Sequence, residues 1–441
     1  MGKKFFGYAI PSVVAMWLYS FYTMADGFFV SRAAGPMALA AVNISMPYIN
    51  FLFGVSMLCS AGVSTVVSIY LGRGESARAR DAFMTNIVTL LSLSLVLTLA
   101  SLFFARRIFS ALGATESLMP DVEGYLGAIL PFSAFFVMAY FMEVMARADG
   151  HPKLAAASVA VAGASNVALD YLFVMKFGWG VRGAALATGI AQALSVFLLF
   201  IHFMWGRTKL GFVKFKPDPS CMIRGVALGM GDFVTELSVG AAIFLFNNAI
   251  IDVIGEGGVA GYTVMAYAAT LVVMTVSGVA QGMVPLASFH HGRGDSARCG
   301  RLLKLAILTS VVCGVGWFAC LEMLTGEFVS LFIDPADDAA LHSTTVRAFR
   351  IYAISFIFVG VNVTLASYFS SVERPAYGVA LSAARGIVVI AVTLHAMPRA
   401  FGAAGIWLSP TVSELICTGI ALALFMMMKR WDASKRSAAP Q

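Results

Sequence analysis

The chain has 441 residues, of which 59% are hydrophobic and only 12% are charged. Soluble domains carry about twice that charged fraction, so the composition excludes a soluble globular protein and predicts one that crosses a membrane many times. The formal net charge of +7 would suggest nucleic-acid binding in a soluble protein. Here the Lys and Arg residues concentrate in loops on one side of the predicted spans, so we expect no nucleic-acid partner.

Twelve stretches are apolar and long enough to span a bilayer. The first follows a basic start, Met1-Gly-Lys-Lys, that imitates a signal peptide, but its apolar run continues to Val30 and is too long for a cleaved segment. We therefore predict an all-α polytopic membrane protein with a short disordered cytoplasmic tail at residues 431–441. The twelve stretches cover about residues 5–31, 37–71, 82–105, 118–146, 153–175, 183–205, 221–253, 257–290, 301–322, 343–371, 377–397 and 403–429.

The distribution of charge orients these predicted helices. With both termini inside, the inner segments hold about 21 of the 30 Lys and Arg residues and the outer segments about 8. The loop before helix seven, which includes Arg207, is the most basic, whereas the loop after helix nine, which includes Asp337, is acidic. This bias predicts a multi-pass protein of the bacterial or archaeal cytoplasmic membrane with both termini in the cytoplasm.

The two halves of the chain resemble each other. Gly72-Arg-Gly-Glu-Ser-Ala-Arg78 recurs as Gly292-Arg-Gly-Asp-Ser-Ala-Arg298, each directly after a long apolar helix, and Gly62 aligns without gaps to Gly282. Two halves with an even number of helices have the same orientation, which is the parallel-repeat layout of many secondary transporters, with the substrate path between the halves. We therefore predict two parallel six-helix bundles, at residues 1–206 and 221–430, joined by a cytoplasmic linker loop at residues 207–220.

Polar residues interrupt helices five and six. Asn166 and Asp170 are four residues apart and share one helix face. Thr188 follows Arg182 by about as many residues as Asp170 precedes Lys176, which is roughly 9 Å at helical rise, so the three polar side chains can converge at nearly one depth. A carboxylate there must be paired, protonated or facing water, because an ionised group in hydrocarbon costs several kcal/mol.

Short motifs are spread along nearly the whole chain. They are Pro11 with Ala25-Asp-Gly-Phe-Phe-Val30, the two Gly-Arg-Gly loops, Arg147-Ala-Asp-Gly-His-Pro-Lys153, Asn166-x-x-Leu-Asp170, Gly183-Ala-Ala-Leu-Ala-Thr188 and Gln281-Gly-Met-Val-Pro285. In their order and spacing they resemble the MATE (multidrug and toxic compound extrusion) family of secondary exporters. The resemblance implies two six-helix bundles that face each other in a V and exchange inward for outward access.

In the proton-coupled, DNA-damage-inducible prokaryotic branch of that family, the ion-coupling site lies in the N-terminal bundle. Its motif falls here on Tyr22, Asp26, Asn166, Asp170 and Thr188. Two carboxylates close together in a low-dielectric pocket cannot both ionise cheaply, so the pair can bind and release a proton. The oxygens of Asp26, Asn166, Asp170 and Thr188 are also ligands that suit Na⁺, since hard cations favour oxygen donors.

Two further features follow from the resemblance. Pro11 matches the proline at which helix one of the family bends. The sodium-coupled branch carries a carboxylate in helix seven, where this chain has Asp232 and Glu236. H⁺ and Na⁺ therefore both remain candidates for the coupling ion.

The C-terminal half contains further intramembrane charges. Its carboxylates are Asp232, Glu236 and Glu414. They either contact a cationic substrate, form a second ion site or neutralise Arg385 in helix eleven. In the N-terminal half, Glu143 stands beside Arg147 near the inner end of helix four, which predicts a surface ion pair.

Methionines supply candidates for an adaptable substrate cavity, because a flexible thioether fits many ligand shapes. The candidates lie on helices two and eight, with the methionines expected on their inner reaches and a glutamine beside them. They are Met46, Met265, Met274 and Gln281.

Together these features predict a secondary active multidrug efflux antiporter that exports amphipathic, cationic organic compounds in exchange for H⁺ or Na⁺. One alternative is a flippase for lipid-linked oligosaccharides of the same superfamily, which would need a cationic cavity for pyrophosphate. The other is a major-facilitator-type transporter, whose acidic–basic motif after helix two is absent from residues 72–80.

The remaining expectations concern partners and chemistry. The six cysteines show no C-x-x-C motif and the histidines no H-x-x-x-H motif, and paired catalytic groups are missing. We therefore expect no enzyme activity, no catalytic residue and no cofactor. The expected partners are small-molecule drugs or metabolites, the coupling ion and the lipid bilayer, and we expect the chain to act as a monomer.

Overall fold

The computed structural model of the chain describes residues 1–116, 118–205, 208–255, 257–336 and 338–437. Nearly all of these residues are helical, and this part of the chain contains no β-strand. Arg207 and Asp337, together with the predicted bundle boundary at residues 206 and 207, lie outside the described residues.

The described residues form eleven helices that are long and apolar enough to cross a membrane, or twelve when a pair bent by 42° counts as one span. The prediction of an all-α protein with twelve spans is therefore confirmed. The spans are α1 (Gly2–Val30), α2 (Ala41–Arg73), α3 (Ser76–Phe103), α4 (Met119–Ala148), α5 (Pro152–Lys176), α6 (Gly180–Trp205), α7 (Pro219–Val253), α8 (Gly258–Gly292), α9 (Ser296–Ser330), α10 (the bent pair Ala339–Ala353 and Phe356–Ser371), α11 (Pro375–Phe401) and α12 (Ala403–Trp431).

The first two spans are arms of one helical stretch, Gly2–Arg73. Its 72 residues would measure about 108 Å if the helix were straight. Instead the chain doubles back, because both of its ends meet Phe289. The Lys4 ammonium lies 5.7 Å from the centroid of that ring, and Gly72 packs against the carbonyl of the same residue. The two arms are therefore antiparallel spans.

Each half of the chain builds its own apolar core. One cluster of buried side chains fills the bundle of α1–α6 and also includes Cys221 and Leu228 of α7. Two others fill the bundle of α7–α12. One of these C-terminal clusters includes both Phe5 and Met428, so the two ends of the chain lie on the same side of the membrane. That side is called the termini side below.

The bundles touch along their termini-side halves through two glycines related by the sequence repeat. A Cβ atom on Gly62 of α2 would meet the carbonyl oxygen of Gly225 on α7, and one on Gly282 of α8 would meet the backbone of Ala9 on α1. Only glycine permits backbones to approach this closely. Near the opposite ends of α2 and α8, the repeat-related Asn43 is exposed, as is its counterpart Thr263. The two glycine contacts thus join the bundles on the termini side, and two repeat-related polar side chains are exposed near the opposite side.

The C-terminal end of the chain is helical further than we expected. The helix that contains α12 runs from Ala403 to Ser437, so it includes the first seven residues of the expected disordered tail. Residues 438–441 lie outside the part of the chain that the structure describes.

Candidate ion and substrate sites

Two carboxyl groups are buried between α1 and α5. Asp26 is 6% exposed, and both Asn166 and Asp170 are 0% exposed. Gly163 lies on the same face of α5, where a Cβ atom would come within 3.2 Å of the Tyr22 ring. The small residue therefore lets α1 pack closely enough to cover the polar face of α5.

The oxygen atoms of this group lack donors. The Asn166 amide donates to Thr188 Oγ1 over 3.2 Å, as the helix spacing predicted. Among the described residues, Asp26 Oδ1, Asn166 Oδ1 and both carboxyl oxygens of Asp170 have no hydrogen-bond partner. The two carboxyls are close enough for the charge of Asp26 to act on Asp170. A buried acceptor without a partner is costly, and oxygens of this kind can accept a proton or a hard cation.

Two residues that the sequence analysis missed complete the surroundings of the carboxyls. Tyr125 of α4 is 1% exposed and lies within electrostatic range of both Asp26 and Asp170. Gln192 of α6 donates to Tyr22 Oη over 3.4 Å. Gln192 lies one helical turn beyond Thr188, so the same spacing argument would have found it, whereas no sequence pattern pointed to Tyr125.

The helix geometry changes directly after Asp170. Residues Tyr171–Lys176 form a π-helical turn, and a second one occurs in the corresponding helix of the other half, at Ala384–Val388. Such turns are rare and are concentrated at functional sites. The π-helical turn begins at the residue after Asp170, so it sets how the side chains that follow are rotated about the axis of α5 relative to this carboxyl.

A cavity of about 300 Å³ lies between the two bundles. Tyr22 and Gln192, which are hydrogen-bonded to each other, are among its lining residues, whereas Asp26 and Asp170 are not. Five lining positions of α2 recur 220 residues later on α8, at equivalent positions of the two repeats, whereas Asn50, Met274 and Ala280 line the cavity without such a counterpart. These pairs are Phe53 with Val273, Met57 with Ser277, Ala61 with Gln281, Ser64 with Val284 and Thr65 with Pro285.

The unpaired charges of the cavity are acidic. Asp232 and Glu236 of α7 line it and are half-buried, and neither has an ion pair or hydrogen bond within the described ranges. The two arginines that line the cavity are both neutralised. Arg147 pairs with Glu143, and Arg385 Nε lies 2.7 Å from a carboxylate oxygen of Glu414.

The Glu143–Arg147 pair differs from our expectation. We predicted a surface ion pair, but the Arg147 side chain is only 3% exposed and that of Glu143 only 10%. Both residues line the cavity between the bundles. The expectation failed because this end of α4 faces the other bundle rather than water.

Glu414 belongs to a closed polar cluster of the C-terminal bundle. Its second carboxylate oxygen accepts a hydrogen bond of 2.6 Å from the Asn362 amide, and Thr418 donates to Asn362 Oδ1 over 3.2 Å. Glu414 itself is not a cavity-lining residue. Of the roles that the sequence left open for Glu414, the structure supports neutralisation of Arg385.

Only two of the four residues that we predicted to line an adaptable substrate cavity do so. Met274 and Gln281 line the cavity. Met265 is 0% exposed inside the C-terminal core, and Met46 packs against the N-terminal core. Both lie in the halves of α8 and α2 that are remote from the termini side, not on the inner reaches. Both side chains point into the apolar cores, because they lie on the core-facing sides of their helices, which composition does not reveal.

Pro11 lies inside α1, between Ala9 and Val13. Those two neighbours contact the backbone positions of Gly282 and Gly278 on α8. The proline removes one hydrogen bond from the helix at the seam where the two bundles meet. This position is suited to bending, which remains a prediction.

Two staphylococcal multidrug export proteins are similar to the chain over nearly its whole length. Multidrug export protein MepA of Staphylococcus saprophyticus is 22% identical over 435 residues, covering 97% of this chain and 94% of that protein. MepA of Staphylococcus aureus is 20% identical over 433 residues, with the same coverage. Both are full-length matches.

Solved structures share the fold. An outward-facing multidrug resistance MATE transporter of the MOP superfamily matches with a TM-score of 0.92 at 20% identity, over 98% of this chain and 96% of that one. A MOP superfamily transporter from Pyrococcus furiosus, whose binding pocket of reverse polarity is said to suggest a different function, matches with a TM-score of 0.90 at 19% identity, over 97% of this chain and 95% of that one.

A family model, MatE, matches residues 11–172 and again residues 233–394. The two matches fall in the two halves of the sequence repeat and together cover more than half of the chain. The alternative of a major-facilitator-type transporter is therefore wrong. The chain belongs to the MATE family of membrane transporters.

Proposed function

We propose that this protein is a secondary active antiporter of a bacterial cytoplasmic membrane that exports amphipathic, cationic organic compounds in exchange for H⁺ or Na⁺. The observation that carries the proposal is a group of buried oxygens, at Asp26, Asn166 and Asp170, that have no hydrogen-bond partner in the part of the chain that the structure describes. Tyr22, one helical turn from Asp26, lines the cavity and accepts a hydrogen bond from Gln192, which also lines it. The names of the MepA proteins, which are multidrug export proteins, support the same reading.

The coupling ion acts on the charge balance of the buried site. Without an ion, two carboxyls near each other in a low-dielectric site cannot both be charged cheaply. A proton or Na⁺ that binds there neutralises them and supplies the missing partner of the free oxygens. The site is then stable with α1 and α5 tightly packed, and loss of the ion favours a looser arrangement.

Helix α1 connects binding of the coupling ion to the substrate path. Tyr22 and Asp26 lie one turn apart on α1 and face the cavity and the ion site, respectively. The beginning of the same helix packs on α8 through Ala9. A shift of α1 on ion binding therefore acts on both the cavity wall and the seam between the bundles. A membrane potential of 100 mV contributes about 2.3 kcal/mol per charge moved, enough to sustain a substrate gradient of tens-fold.

The charge of the cavity favours cations over lipid-linked pyrophosphates. A pyrophosphate site needs arginine or lysine side chains that are free to bind phosphate. Here Arg147 and Arg385 are each bound to a glutamate, whereas Asp232 and Glu236 are unpaired within the described part of the chain. The flippase alternative therefore has less support than cation export.

The proposal is tested by export with separately imposed ion gradients. The purified protein is reconstituted in liposomes, and movement of ethidium or norfloxacin is followed with a proton gradient alone, a sodium gradient alone, both or neither. We expect export to require one of the two gradients and to cease when that gradient is collapsed. Equal transport with neither gradient would contradict antiport.

The cavity carboxylates give a second prediction, on substrate selection. Replacement of both by amides, Asp232→Asn with Glu236→Gln, removes the unpaired negative charges and should raise the KM for ethidium at least about fivefold, since each charge contact in a partly hydrated cavity contributes about 1 kcal/mol. A neutral substrate of similar size should be affected much less. Export assays with the two substrates measure the difference, and an equal loss for both would contradict charge recognition.

A further inference from the structure

Two histidines, one directly before α5 and one in α6, meet one buried aspartate on the termini side. Asp149 follows α4, His151 begins the turn into α5, and His202 lies in the last turn of α6. His151 Nδ1 is 3.1 Å and His202 Nε2 is 3.2 Å from the same oxygen, Asp149 Oδ2. The Asp149 side chain is 0% exposed. The export mechanism uses none of these three residues.

Their spacing suits a divalent transition metal. The three candidate ligand atoms lie within 4.8 Å of one another. Bonds of about 2.0–2.1 Å in tetrahedral geometry separate ligand atoms by about 3.4 Å, so the two distances to the carboxylate already lie close to those of a bound ion. Two imidazole nitrogens with one carboxylate oxygen select zinc or a similar ion rather than Mg²⁺ or Ca²⁺, which prefer oxygen ligands.

The aspartate is held in the orientation that such a site needs. Its other oxygen, Oδ1, accepts a hydrogen bond of 2.7 Å from the backbone N–H of Lys209, in the linker between the bundles. A hydrogen bond to the outer oxygen of a ligand carboxylate fixes its direction, here with Oδ2 toward both histidines. The positive φ of Gly150, 103°, makes the turn that brings His151 back over Asp149.

We propose that Asp149, His151 and His202 form a zinc-binding site at the base of the N-terminal bundle. The His151 side chain is 39% exposed, so the fourth coordination position faces solvent and takes a water molecule. The metal joins the α4–α5 turn, the end of α6 and, through Lys209, the start of the linker. It therefore fixes the linker to the N-terminal bundle without entering the substrate cavity or the ion site.

The test is zinc binding by the full chain, purified in detergent with its affinity tag removed and treated with chelator. Isothermal titration should give one zinc ion per chain for the wild type. His151→Gln and His202→Gln keep a group able to donate a hydrogen bond to Asp149 but remove a metal ligand, and each should weaken binding at least about tenfold. The matched control is His395→Gln, which changes an exposed histidine of α11 and should bind zinc as the wild type does.

Thermal unfolding provides a second readout, because a ligand that binds only the folded protein raises its Tm. Zinc should raise the Tm of the wild type and of His395→Gln, and should not raise that of the double variant His151→Gln/His202→Gln. Equal zinc binding by the wild type and the double variant, or no binding by the wild type, would overturn the proposal. Either result leaves the export proposal untouched, since the readout is binding and not transport.

Discussion

Replacement of Asp26 or Asp170 by asparagine should reduce ion-driven export at least tenfold while leaving the protein as stable as the wild type. The amide has the shape of the carboxyl but cannot gain or lose a proton, and it is a weaker ligand for Na⁺ than a carboxylate. Both carboxyl oxygens of Asp170 lack hydrogen-bond partners among the described residues, so the substitution breaks no native hydrogen bond. It also removes the cost of burying a charge, so the free energy of unfolding should be unchanged or higher.

Two measurements separate a coupling role from a structural one. Export in liposomes with an imposed proton or sodium gradient reports the coupling, and thermal unfolding in detergent reports the stability. The matched control is Thr393→Val. Thr393 lies as far after Pro375, the first residue of α11, as Asp170 lies after Pro152, the first residue of α5, and its buried hydroxyl donates to the carbonyl of Ile390. This variant should export normally. Normal export by both aspartate variants would end the proposed mechanism, and a large loss of stability would assign the aspartates a structural role.

The polar residues of the ion site are predictable from the sequence because their spacing along single helices is regular. Asn166, Asp170 and Thr188 could be brought together from sequence because helical rise fixes depth, and the Asn166–Thr188 hydrogen bond agrees with that. Spacing does not fix the rotation of a helix about its axis in the bundle. For that reason Met274 was correctly assigned to the cavity and Met265 was not, although both lie on α8.

Contacts between segments that are distant along the chain could not be predicted either, because spacing along one helix does not show which other segment it meets. His202 lies 53 residues from Asp149, and no local motif marks the pair. The burial of the Glu143–Arg147 ion pair depends on the second bundle, which covers this end of α4. Periodicity thus predicts which residues share a face and a depth, whereas tertiary packing decides what that face meets.

Removal of the Glu414 carboxylate should be the most destabilising single change in the C-terminal bundle. Glu414→Leu leaves Arg385, whose side chain is 20% exposed, without its counter-charge. It also removes one of the two acceptors of the buried Asn362 amide and leaves only the Glu414 backbone carbonyl. Breaking a buried ion pair from one side costs about 3 kcal/mol or more. The double variant Arg385→Met/Glu414→Leu replaces both charges by apolar groups, which is often nearly neutral, and should recover most of that loss.

The same variants also distinguish a structural role of this polar cluster from a role in transport. Unfolding free energies of the wild type, both single variants and the double variant give the coupling energy of the two side chains, which we expect to be favourable. If Glu414 acts only as the partner of Arg385, the double variant should be both stable and able to export ethidium. A stable double variant without export would instead show that the charged cluster takes part in transport, because packing and folding would be intact while only the charges are missing. A Glu414→Leu variant as stable as the wild type would contradict the structural role from the outset.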